Sequence, residues 1–112
     1  MARYALSILI VAILISAPLA AETWQNVPIV DTMCLSKVKD NPDAHPTSCL
    51  MSCASSGYGI LTSKGDYLKF NDEGNQKALA ALKQTDKKDH VRVTVDGDRQ
   101  GDTIKVKSVS VD

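Results

Sequence analysis

The strongest constraint on the fold is a run of alternating residues near the C-terminus. Val91, Val93 and Val95 interleave with Arg92, Thr94 and Asp96. A period of two places one set of side chains on each face, so the segment reads as a half-buried β-strand. Asp96-Gly97-Asp98 is expected to stop it. The next run opens in phase with Ile104 and Val106, but Val109 and Val111 fall on the other parity. A strand that kept its register would turn its last valines out to water, so a β-bulge is expected around Lys107-Ser108. Two such strands need further strands on either side to bury their apolar face.

Those strands are present upstream. Val27 to Met33 reads as a first strand, entered through Pro28 near an edge. Leu35 to Pro46 is polar and rich in Lys, Asp, Asn and Pro, the composition of a loop. Thr47 or Ser48 then caps a short helix through Cys49, Leu50, Met51, Ser52, Cys53 and Ala54, and Gly57 closes it. Tyr58 to Thr62 and Tyr67 to Phe70 form a hairpin across Ser63-Lys64-Gly65-Asp66. Asn71 to Asn75 reads as a turn, and Gln76 to Lys83 as an amphipathic helix with Ala78, Leu79 and Leu82 inward.

The order is therefore strand, cysteine-bearing helix, strand, strand, helix, strand, strand. The expected fold is mainly β: a small five-stranded OB-like barrel with a helix between strands 3 and 4 and a short helix inserted between strands 1 and 2. An open α+β sandwich of the same strands is the alternative.

The N-terminus sets the address. Arg3 precedes an apolar run from Ala5 to Ile15 that is interrupted by Ser7 alone, followed by Ser16, Pro18 and small alanines. That order is a secretory signal, and the run is shorter than the roughly 20 residues that span a bilayer. Residues 1–21 are expected to be a cleaved signal peptide and 22–112 a single domain, periplasmic or secreted, with no stable membrane anchor after cleavage. Lysine and arginine number 13, as do aspartate and glutamate, and Arg3 is the one charge in the leader. Such a balance gives no electrostatic footprint for nucleic acid.

Export places Cys34, Cys49 and Cys53 where disulfides form and persist. Three cysteines make at most one intramolecular bridge. Cys49 and Cys53 sit four apart on the expected helix and do not reach disulfide geometry there, so Cys34 is the shared partner. Cys53 lies nearer the second strand, which favours Cys34 with Cys53, and Cys34 with Cys49 is the alternative. A bridge of this kind staples a domain whose core is small.

A second chemistry is open to the same residues. In HPTSCLMSC, His45, Cys49 and Cys53 recur every four residues and share a face if the helix begins at His45. With Cys34 added, they form a candidate metal set of Cys34, His45, Cys49 and Cys53. Imidazole and thiolate suit copper or zinc. The spacing matches neither a zinc ribbon nor a C-x-x-C redox or haem motif. NDEGN, residues 71–75, lacks the ligand spacing of a calcium loop. No catalytic triad, carboxylate pair or phosphate loop is marked out.

The pattern Asp31-x-x-Cys34-x-x-Lys37, His45-x3-Cys49-x3-Cys53, Gly57-Tyr58-Gly59-Ile60-Leu61 and Val93-Thr94-Val95-x-Gly97 ahead of Ile104-x-Val106-x-Ser108 resembles a group of small secreted bacterial proteins of unknown function. The resemblance implies an OB-like barrel and export, and assigns no activity. Met33 and Met51 have no counterpart in that pattern. The expectation is a non-enzymatic, disulfide-stapled module without a cofactor, acting on an unknown protein or small ligand. Its alternative is a metal-handling or thiol-redox protein.

Overall fold

The computed structural model describes residues 21–112. The expected signal peptide, apart from Ala21, lies outside them. Five strands, β1 (Ala21–Asp31), β2 (Tyr58–Leu61), β3 (Tyr67–Phe70), β4 (Arg92–Gln100) and β5 (Thr103–Val111), close into a barrel in the order β1-β2-β3-β5-β4. Every pairing is antiparallel except β3 with β5. The short helices α1 (Leu35–Val38) and α2 (Thr47–Ser52) lie in the insert between β1 and β2, and α3 (Asp72–Gln84) joins β3 to β4. This is the OB-like arrangement, and closure leaves no free sheet edge. Among the described residues no helix is long and apolar enough to cross a membrane.

The core is the set of inward positions that the alternation marks out. Val91, Val93 and Val95 of the β4 region pack with Ile104 and Val106 of β5, Ile60 of β2, Leu68 and Phe70 of β3, and Ile29 of β1. Helix α3 adds Ala78 and Leu82, and α2 adds Leu50. The bulge expected near Lys107-Ser108 is present. Asp96 pairs with Ser108 but Gly97 pairs with Val106, leaving Lys107 as the extra residue. Val109 and Val111 thereby return to the core side.

Several boundaries differ from the sequence reading: α1 forms within the expected loop, and α2 starts at Thr47 itself, with no side-chain cap from Thr47 or Ser48. Strand β4 does not stop at Asp96 but runs through Gly97 to Gln100. A Cβ at Gly97 would stand 2.5 Å from the Lys105 carbonyl oxygen, so glycine lets the two strands stay paired across the bulge. Helix α3 begins at Asp72 rather than Gln76, because Asn71 caps it by accepting from the Gly74 amide at 3.1 Å. Gly74, Ala78 and Leu82 then form its buried stripe. Strand β1 ends at Asp31, two residues short of Met33, where the Asp31 carboxylate accepts from the Cys34 amide and turns the chain.

The same strand also begins earlier, at Ala21, and carries a bulge of its own. Trp24 pairs with Val95 and Val27 with Val93, so three steps on β1 cross two on β4. Asn26 absorbs the excess with a φ of 50°. Trp24 and Val27, which a regular strand would send to opposite faces, consequently both pack on the core, while Gln25 and Asn26 are exposed in succession.

Candidate functional site

Strand β1 delivers Asp31 to the mouth of the insert, where it is fully buried. Its Oδ1 lies 2.7 Å from Nε2 of His45, which is also buried, and its Oδ2 accepts from the Cys34 amide at 3.1 Å. With both carboxylate oxygens accepting, Nε2 carries the hydrogen and Nδ1 is the other tautomeric position. A buried carboxylate without such partners would cost several kcal/mol, and the pair with its backbone donor removes most of that cost.

Cys34 follows one short turn after Asp31, and Cys53 ends α2. A carboxylate oxygen of Asp31 and the sulfurs of Cys34 and Cys53 all lie within 4.8 Å of one another. The three cysteines are unbridged in this structure. Burial pushes the Cys34 thiol up to about 11, helped by the neighbouring Asp31 carboxylate and Cys53. A thiol so disposed supplies little thiolate near neutrality, which makes it a poor nucleophile.

The site is braced on each side. Tyr58, paired with Asp31 across β1 and β2, donates its buried hydroxyl to the Leu50 carbonyl of α2 at 2.7 Å. The Tyr67 hydroxyl donates to the Val30 carbonyl at 2.9 Å and lies 3.1 Å from the Thr32 hydroxyl. Burial holds both phenols up near about 12. Thr47 at the start of α2 binds the Lys87 and Lys88 carbonyls through its hydroxyl and amide at 2.6 and 2.8 Å. Arg92 of β4 grips the Asp43 carboxylate through two nitrogens at 3.1 and 3.0 Å, which holds Asp43 below the usual carboxylate range.

The sequence reading of the four candidate ligands is therefore redistributed. Cys34 and Cys53 do come together. Cys49 stands exposed on α2 outside the group. His45 is not on a shared helical face with the cysteines, because Pro46 is extended (φ −68°, ψ 146°) and the helix starts only at Thr47. The histidine instead turns inward and meets the site through Asp31. Asp31 is the member that the sequence reading missed as a site residue. The signal was available in Asp31-x-x-Cys34, the spacing at which a carboxylate accepts from the backbone amide three residues on.

Chemically, two sulfurs and a carboxylate at this separation allow two things. The cysteines can close on each other, or the three atoms can share a soft or borderline cation such as zinc or copper(I) while His45 steadies the carboxylate from behind. No family model, curated protein or solved structure matches the chain.

Proposed function

We propose that this chain is an exported, non-enzymatic binding module, periplasmic or secreted, in which Cys34 and Cys53 close one disulfide where the insert meets the barrel. The observation that carries the reading is the approach of those two sulfurs beside the buried Asp31–His45 pair, at the junction of β1 and α2. The insert, residues 32–57, has short helices and little core of its own, so a covalent tie there limits its freedom in the unfolded chain. The raised Cys34 pKa supports a structural bridge over a redox-active one. A reduced form that gains nothing from thiolate stabilisation leaves the disulfide a weak oxidant.

A second reading is favoured by the Asp31 oxygen that converges with the two sulfurs, namely a copper or zinc site on Asp31, Cys34 and Cys53. Cation charge would reverse the local preference for the protonated thiols. One experiment separates the two: intact mass, thiol count and metal content of protein purified from the periplasm without reductant or chelator. One free thiol and a mass two hydrogens short of the reduced chain support the staple. Three thiols with stoichiometric metal overturn it in favour of the cation site.

A further inference from the structure

The bulge in β1 builds a second feature at the barrel surface, away from the cysteines. A cleft of about 770 Å³ lies between three segments: Thr23 to Pro28 of β1, the β2–β3 turn from Leu61 to Gly65, and Lys39 to Pro42 of the insert. Its size is that of a small-ligand site. Trp24, packed on the core, offers an apolar aromatic surface in the cleft lining. Gln25 and Asn26, exposed in succession by the bulge, line it beside Thr62 and Ser63.

The bulge is held rather than loose. Asn26 keeps its positive φ while Arg92 donates to its carbonyl at 2.9 Å, and the same guanidinium is clamped by Asp43. Strained, braced backbone beside a cleft is what pre-organises side chains for a ligand. The clamp also cancels the charge of Arg92, and the neighbouring Lys39 and Asp40 carry opposite signs. The cleft thus combines one aromatic surface, two amides able both to donate and to accept, the hydroxyls of Thr23, Thr62 and Ser63, and no net charge. Hydroxyl groups on an apolar ring meet that demand, whereas an anion or a purely apolar ligand does not.

We infer that this cleft binds a short neutral oligosaccharide, stacked on Trp24 and hydrogen-bonded by Gln25 and Asn26. The inference rests on the reading of the chain as a binding module and gives that module a ligand class. Trp24 is the single tryptophan in the sequence, so its fluorescence reports the cleft directly. The purified protein is titrated with the N-acetylglucosamine trimer, cellotriose and maltotriose. A saturable change in emission is expected with at least one. Amide shifts in 15N-labelled protein should centre on Asn26 and Ser63. Trp24→Phe should weaken the affinity read by those shifts about 10-fold or more, and Asn26→Gly, which keeps the positive φ but removes the amide, should weaken it several-fold.

No saturable response to any of the three sugars at about 10 mM overturns the inference, as do shifts centred elsewhere on the barrel. The thiol count on the same sample reads the staple independently. One disulfide without a sugar response refutes the cleft alone, and sugar binding in a protein with three thiols refutes the staple alone.

Discussion

Oδ1 of Asp31 and Nε2 of His45 lie 2.7 Å apart, and both side chains are almost wholly excluded from solvent. The first comes from the end of β1 and the second from the insert, so this hydrogen bond helps dock the insert on the barrel beside the Tyr58–Leu50 and Arg92–Asp43 contacts. His45→Ala leaves the Asp31 carboxylate buried with half its partners, and a loss of about 3–5 kcal/mol in urea unfolding is expected. His45→Gln, which can still donate, should lose less. A double-mutant cycle with Asp31→Asn should show strong coupling, and additive losses would mean that the two side chains act separately.

Thiol chemistry should rank the cysteines by environment. In reduced protein Cys49, exposed on α2, should alkylate first, and Cys34, with its pKa raised to about 11, last. The proposed Cys34–Cys53 bridge would close a loop of about 20 residues in oxidised protein, for which about 3 kcal/mol of stabilisation is expected. Cys53→Ser and added reductant should each lower the free energy of unfolding in urea by that amount, and Cys34→Ser should match them. Cys49→Ser should leave the midpoint where it was.

Stability should fall at both ends of the pH scale, for opposite reasons. Asp43, held low by Arg92, and Asp96, held low by hydrogen bonds from Thr23 and Ser108, have folded pKa values below their unfolded ones. Their contribution is therefore complete above about pH 4 and is lost as pH drops through the folded values. Arg92→Ala should flatten part of this acid limb. Tyr58 and Tyr67, raised to about 12, keep their protons in the fold when the unfolded chain has begun to lose them. Their contribution is intact below about pH 10 and lost as pH rises toward 12. Urea midpoints measured across the range with Tyr67→Phe check the alkaline limb.

Gly74→Ala should reverse its usual sign. In an exposed helix interior the change gains up to about 1 kcal/mol. Here an added Cβ would stand 2.5 Å from the Val106 Cγ2 and 2.9 Å from the Phe70 Cβ, so α3 must lift away from β5. A loss of about 1–3 kcal/mol is expected, with Gly97→Ala in the same direction because its Cβ would meet the Lys105 carbonyl. Thermal unfolding of the two variants measures both.

The order of elements was legible in the chain because each signal was local. Alternating valines, the Gly65 turn and the parity slip at Lys107 each act within a few residues, and together they permit few ways to close five strands. The β1 bulge was not legible, because Asn26 takes its positive φ only to let Trp24 and Val27 pack on the same core, and that core is assembled from distant strands. The extent of β4 depended on Gly97 meeting the Lys105 carbonyl across a ladder. The cysteine pattern likewise named its candidates without sorting them. Helical spacing made His45, Cys49 and Cys53 equivalent, but the extended Pro46 ended that equivalence. His45, deep in the insert, found the buried carboxylate at the end of β1, and the need of that carboxylate for donors decided the site.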